Sequence, residues 1–244
     1  MTAIDLSGRV TLVTGASRGI GYAAAIALAK AGSHIIAVAR TQGGLEDLDD
    51  AIREIGGEAT LVPMDLKQPD GLDQLGAVIH ERFGRLDGLL SCAGVLGEIA
   101  PAPHVSLKKW DEAVAVNMTA NYRLIRSLDP LLRASPSGRA VFVTSGAAQS
   151  RKAYWSVYAA SKAGMEALVQ SYAREVESTN LRVNLVDPGR TRTAMRAKAM
   201  PGEDPDILPK PTELSPMFVE LLSERCTRHN EIVNFRDEFY QGNG

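Results

Sequence analysis

The 244-residue chain is 45% hydrophobic and 23% charged, the balance of an ordinary globular protein with length enough for a substantial core. Its 27 basic and 29 acidic residues leave a formal charge of −2, so no electrostatic footprint for nucleic acid or an anionic membrane follows. Two cysteines without a CxxC pair, four histidines without ligand spacing, and no apolar run near the roughly 18 residues that span a bilayer argue against a metal site and a membrane span. With no leader-like run in "MTAIDLSGRV", a cytoplasmic protein with reduced thiols is expected.

Short apolar runs then alternate with helical patterns. "RVTLVTG" reads as a strand, "GYAAAIALAKAG" as a helix stopped at Gly32, and "HIIAVAR" as a second strand. "LEDLDDAIREIGG" is helical, "EATLVPMD" a third strand, "LDQLGAVIHERFG" helical and "LDGLLSCAG" a fourth strand. One long helix is expected over 107–132, then a fifth strand "RAVFVTSG", a helix over 158–178, a sixth strand "LRVNLVDPG" and a seventh, "EIVNF". Continuously apolar strands, each followed by a helix, predict a doubly wound α/β fold: a parallel sheet of about seven strands, helices on both faces, in one domain over 1–244. The stretch 190–212 is rich in proline and charge and lacks a period, so it is expected to be a long loop acting as a substrate lid.

Two stretches carry chemistry. "TGASRGIG", Thr14 to Gly21, joins the first strand to the first helix. Gly15 permits a tight turn, while Gly19 and Gly21 let backbone approach a diphosphate on the positive end of the helix. In "SVYAASKAG", Tyr158 and Lys162 lie four apart, one turn along one helix face. Ser145 ends the preceding strand, and strand carboxyl ends face the ligand crevice in such sheets. A phenol with an unperturbed pKa near 10 exchanges protons poorly at neutral pH. A neighbouring ammonium favours phenolate, so Lys162 is expected to lower the Tyr158 pKa.

With T-G-x-x-x-G-x-G, "SCAG", "VNMTANY", Ser145, Y-x-x-x-K and "DPGRTRT" in this order, the chain resembles the short-chain dehydrogenases/reductases in their single-domain branch. The resemblance runs over roughly residues 6–195. It implies Asn117, Ser145, Tyr158 and Lys162 as the catalytic set, with Asn117 holding a water that leads protons towards Lys162. It implies cofactor contacts from Gly15, Ser17, Arg18, Gly19, Ile20, Gly21, Arg40, Asp65, Leu66, Cys92, Ala93, Gly94, Tyr158, Lys162, Pro188, Gly189, Thr191 and Thr193. Asp65 would meet the adenine amino group, Lys162 the nicotinamide ribose and Thr193 the carboxamide. Cys92 stands where the family has an asparagine that fixes the backbone beside the cofactor, and a thiol cannot make those amide hydrogen bonds. The tail "FRDEFYQGNG" also lacks the family's usual ending.

Arg40 ends the second strand, where a carboxylate would hold an NAD ribose, and Arg18 sits in the glycine loop. Two guanidiniums suit a 2′-phosphate, so NADP(H) is expected over NAD(H). Substrate is expected to be a small carbonyl or secondary alcohol, flanked by 95–106 and 190–212. Ala194, Met195, Met200, Ile207 and Leu208 are candidates for an apolar lid. Arg190, Arg192, Arg196 and Lys198 are offset nearby by Glu203, Asp204 and Asp206, which reads as a solvated loop; Trp155 either lines the pocket or packs. A 3-oxoacyl-[acyl-carrier-protein] reductase-like enzyme and a dinucleotide-sensing protein without catalysis are alternatives, and the resemblance implies a homo-oligomer, dimer or tetramer.

Overall fold

The computed structural model describes residues 3–240; the last four residues of the atypical tail lie outside that range. Seven strands form one parallel sheet: β1 (Val10–Thr14), β2 (His34–Ala39), β3 (Ala59–Pro63), β4 (Gly88–Ser91), β5 (Arg139–Val143), β6 (Arg182–Asp187) and β7 (Ile232–Asn234). Their order is β3-β2-β1-β4-β5-β6-β7, so the chain reverses direction across the sheet between β1 and β4. Ligands of doubly wound sheets sit at that switch point, outside the strand carboxyl ends.

Helices cover both faces. On one lie α1 (Gly19–Lys30), α2 (Gln42–Glu54) and α9 (Pro211–Leu221). Ala24, Ala25 and Leu28 of α1 share a buried cluster with Leu214, Met217, Phe218 and Leu221 of α9. On the other lie α3 (Pro69–Phe83), α4 (Leu107–Val114), α5 (Ala120–Ala134) and α7 (Ser156–Glu175). Leu72, Leu75, Leu124, Leu128, Met165 and Val169 meet Phe142 there. Short helices α6 (Ala147–Ser150), α8 (Ala194–Ala199) and α10 (Phe235–Glu238) complete the chain.

The helix expected over 158–178 runs 156–175. That expected over 107–132 is interrupted: Ala115–Thr119 forms a wide π-type turn between α4 and α5. The stretch 190–212 is not one loop, since it holds α8, a 3₁₀ turn over Pro205–Ile207 and the first residues of α9. Helix α9 was not expected: Pro211 opens it and Pro216 interrupts it, which hides its period, while burial of its apolar face against α1 secures it.

At Gly76 of α3 the helices touch: the amide donates to Ser127 Oγ at 2.9 Å, and an added Cβ would lie 2.1 Å from the Ser127 carbonyl oxygen. Gly76→Ala should therefore cost about 3 kcal/mol by forcing α3 off α5. Urea denaturation would measure it, and an unchanged midpoint would show that the two helices separate freely.

Candidate active site

A cleft of about 540 Å³ opens at the strand carboxyl ends, between the glycine turn, the ends of β4 and β5, α7 and α8. Every residue expected on the cofactor lines it, as do Ser145, Tyr158 and Lys162; Asn117 does not. Gly15 has φ +68°, and a Cβ there would stand 2.9 Å from the Ala93 Cα. A Cβ on Gly21 would stand 2.5 Å from the Gly15 carbonyl oxygen. The turn can pass between two backbones only as glycine. Thr14, not expected as a site residue, holds the facing strand end: its Oγ1 accepts the amides of Cys92 and Ala93, both at 3.1 Å. The hydroxyl at the strand end was the signal that could have found it. The Cys92 position is thus fixed through its main chain, and its thiol, pushed up to about 12 by burial against a smaller opposing pull from Lys162, is un-ionised.

Ser145 follows β5, and α7 carries the other two groups. The Ser145 hydroxyl accepts the Ala147 amide at 3.2 Å and acts on the Tyr158 phenol, whose pKa it lowers. Trp155 lines the cleft and meets the Tyr158 ring edge-on, centroids 6.1 Å apart. Lys162, 3% exposed, donates to the Val143 carbonyl at 2.7 Å and lies 6.0 Å from the Tyr158 ring centroid.

The expected lowering of the Tyr158 pKa is not what the structure gives. Burial pushes the phenol up to about 12; Ser145 opposes this, and Asp187 and Cys92 add to the rise. Burial also pulls Lys162 down to about 8, against Cys92 and Glu166. Burial disfavours the charged form of each group, and here that outweighs the opposing pull of Ser145 on the phenol and of Cys92 and Glu166 on the lysine. At neutral pH the pair is a phenol beside an ammonium.

Asn117 occupies the wide turn between α4 and α5 and is fully buried. Its Oδ1 accepts the Val95 amide at 2.8 Å; its Nδ2 donates to the Val95 carbonyl and to Ser161 Oγ, both at 2.9 Å. The side chain is thus bonded to protein through both its oxygen and its nitrogen.

Arg18 and Arg40 are exposed at one end of the cleft. Asp65 lines the same end, its carboxylate accepting the Lys67 amide at 3.0 Å. Of the five expected lid residues only Ala194 and Met195 reach the cleft; Met200 and Ile207 face solvent and Leu208 is buried elsewhere. Arg190 and Arg196 pair with Glu203, and Arg192 with Asp206, while Lys198 lines the cleft. Thr193 Oγ1 caps α8 by accepting the Arg196 amide at 3.1 Å. Among the described residues no His/Cys/Asp/Glu group could hold a metal, and no helix is long and apolar enough to cross a membrane.

The fold and cleft define a dinucleotide-binding α/β protein with a serine, a tyrosine and a lysine at one end of the nucleotide groove. The chain belongs to the short-chain dehydrogenase/reductase family of oxidoreductases: the family model for short chain dehydrogenase matches residues 9–204. The uncharacterized oxidoreductase YciK of Escherichia coli K12 is 37% identical over 91% of this chain and 89% of its own length. A 3-oxoacyl-[acyl-carrier-protein] reductase of Synechocystis is 33% identical over 80% of this chain and 78% of its own. A Shigella flexneri short chain dehydrogenase solved in complex with NADP superposes with a TM-score of 0.92 at 35% identity, covering 96% of this chain and all of that one.

The buried lysine makes stability depend on pH. Its folded pKa, about 8, lies below the ordinary 10.5, so between these values the unfolded chain binds more protons and stability rises with pH. Lys162→Met should lack that gain. Urea denaturation across the same window should show wild type improving relative to the variant; a constant difference would mean that Lys162 is solvated.

Proposed function

We propose that this chain is an NADP(H)-dependent oxidoreductase acting on a carbonyl or secondary alcohol of a small molecule. The observation that carries the reading is the convergence of Ser145, Tyr158 and the buried Lys162 in one cleft with the glycine turn. The cofactor, when bound, supplies or accepts the hydride. The donor set fits it: α1 turns its positive end to the glycine turn, and Arg18 and Arg40 stand exposed to meet a 2′-phosphate. The NADP-bound Shigella relative supports that choice.

Tyr158, protonated at neutral pH because burial raises its pKa, delivers a proton to the carbonyl oxygen and is left as phenolate; in the reverse direction that phenolate takes the proton from the alcohol. Ser145 orients the same oxygen through its hydroxyl. Lys162 keeps a positive charge close to the phenol and so stabilises the phenolate left after transfer. The reading includes a cytoplasmic homo-oligomer that covers the exposed Leu107, Trp110, Met118 and Tyr122 on and between α4 and α5. Similarity to the Synechocystis reductase supports 3-oxoacyl thioesters as a second substrate class.

NADPH oxidation followed optically with aldehydes, ketones and 3-oxoacyl thioesters tests the reading. Tyr158→Phe should keep NADPH affinity and lose about 10²–10⁴ in turnover; near-normal turnover would remove Tyr158 from the chemistry.

Cofactor choice rests on charge. Arg40→Asp removes one charge-assisted contact and adds repulsion, so NADPH should bind about tenfold to a hundredfold more weakly in titration calorimetry. NADH binding should hold or improve. Equal wild-type affinity for the two nucleotides would make both arginines surface residues only.

A further inference from the structure

Glu166 lies one helical turn beyond Lys162 on α7 and is only 9% exposed. Burying a carboxylate is costly without a partner of opposite charge. Yet among the described residues it takes part in no ion pair within 4.0 Å. Its oxygens are occupied by neutral donors. Thr144 Oγ1 donates to Oε1 at 2.5 Å, and Gln149 Nε2 donates to Oε1 at 2.9 Å and Oε2 at 2.7 Å.

These donors bracket Ser145. Thr144 precedes it; Gln149 lies in α6, the short helix that follows. Lys162 holds the residue before that, through the Val143 carbonyl at 2.7 Å. Two side chains one turn apart on α7 therefore grip two consecutive residues at the end of β5. Thr144 is tied on its other side as well, its amide donating to the Val186 carbonyl of β6 at 2.8 Å.

We propose that Glu166 is a positioning residue: it braces the 144–150 segment so that the Ser145 hydroxyl meets Tyr158, and it is the counter-charge of Lys162. This rests on the oxidoreductase reading above. Around Lys162 the charged or titratable neighbours are Cys92 after β4, Glu166 on its own helix, and Tyr158, which in turn feels Asp187 of β6. Glu166 favours the protonated lysine, so neutralising it lets the ammonium lose its proton at lower pH.

Two variants test the brace. In Glu166→Ala, amide deuterium exchange over 144–150 should quicken at least about tenfold, and kcat should fall at least about tenfold while the KM for NADPH stays within about twofold. In Glu166→Gln, which keeps the side chain's shape, the alkaline limb of the kcat–pH profile should move to lower pH. Wild-type exchange over 144–150 in Glu166→Ala overturns the proposal whatever the activity. So does an unmoved alkaline limb in Glu166→Gln, which would leave a packing role alone. Absence of any NADPH-linked turnover in the wild type rejects the proposed function instead, and the exchange measurement still decides the brace.

Discussion

The buried amide of Asn117 is the constraint on which the site depends. It satisfies both main-chain groups of Val95 and reaches Ser161 in the same step. Three segments remote in sequence meet there: the chain leaving β4, the wide turn between α4 and α5, and α7. An ordinary α-helical turn would aim that side chain elsewhere, so the widened turn is the local departure that lets one residue join them. Ser161 passes the link on by donating to the Tyr158 carbonyl at 2.9 Å. The tyrosine is therefore held from its own backbone, independently of what its phenol does.

From Asn117 a second line of polar contacts runs to the nucleotide end. Asn121 donates to the Asn117 carbonyl at 2.8 Å and accepts Ser91 Oγ at 2.5 Å. Ser91 lies 3.5 Å from Thr14 Oγ1, which holds the Cys92 and Ala93 amides. All of these side chains are buried, where an unpaired polar group is expensive and a paired one rigid. The glycine turn and α7 thus share one continuous support. This explains why a cysteine is tolerated at position 92: the backbone there hangs on Thr14.

Much of this was legible in the sequence because it is local. The apolar runs that became β1 to β6 need nothing beyond themselves to be read, and the glycine turn and the Tyr158–Lys162 spacing are contained in eight or nine residues each. The features that escaped are set by distant partners. The break in the helix at Asn117 depends on Val95 and Ser161, α9 depends on α1 to cover Phe218, and the direction of the Tyr158 shift depends on how deeply the fold buries it. The apolar residues expected to form a lid were chosen by composition, and only the fold of α8 decides that Met195 faces the cleft and Met200 does not.

The strand order also governs how the chain comes together during synthesis. β1 is made first yet lies inside the sheet, paired with β2 on one side and with β4 on the other. Until residue 91 has left the ribosome, one edge of β1 is unpaired and the glycine turn has no Ala93 to close on. Helix α1 waits longer still, because the α9 residues that cover it come from the last part of the chain. A nascent chain halted before residue 211 would expose the apolar face of α1, a surface that chaperones hold and proteases find.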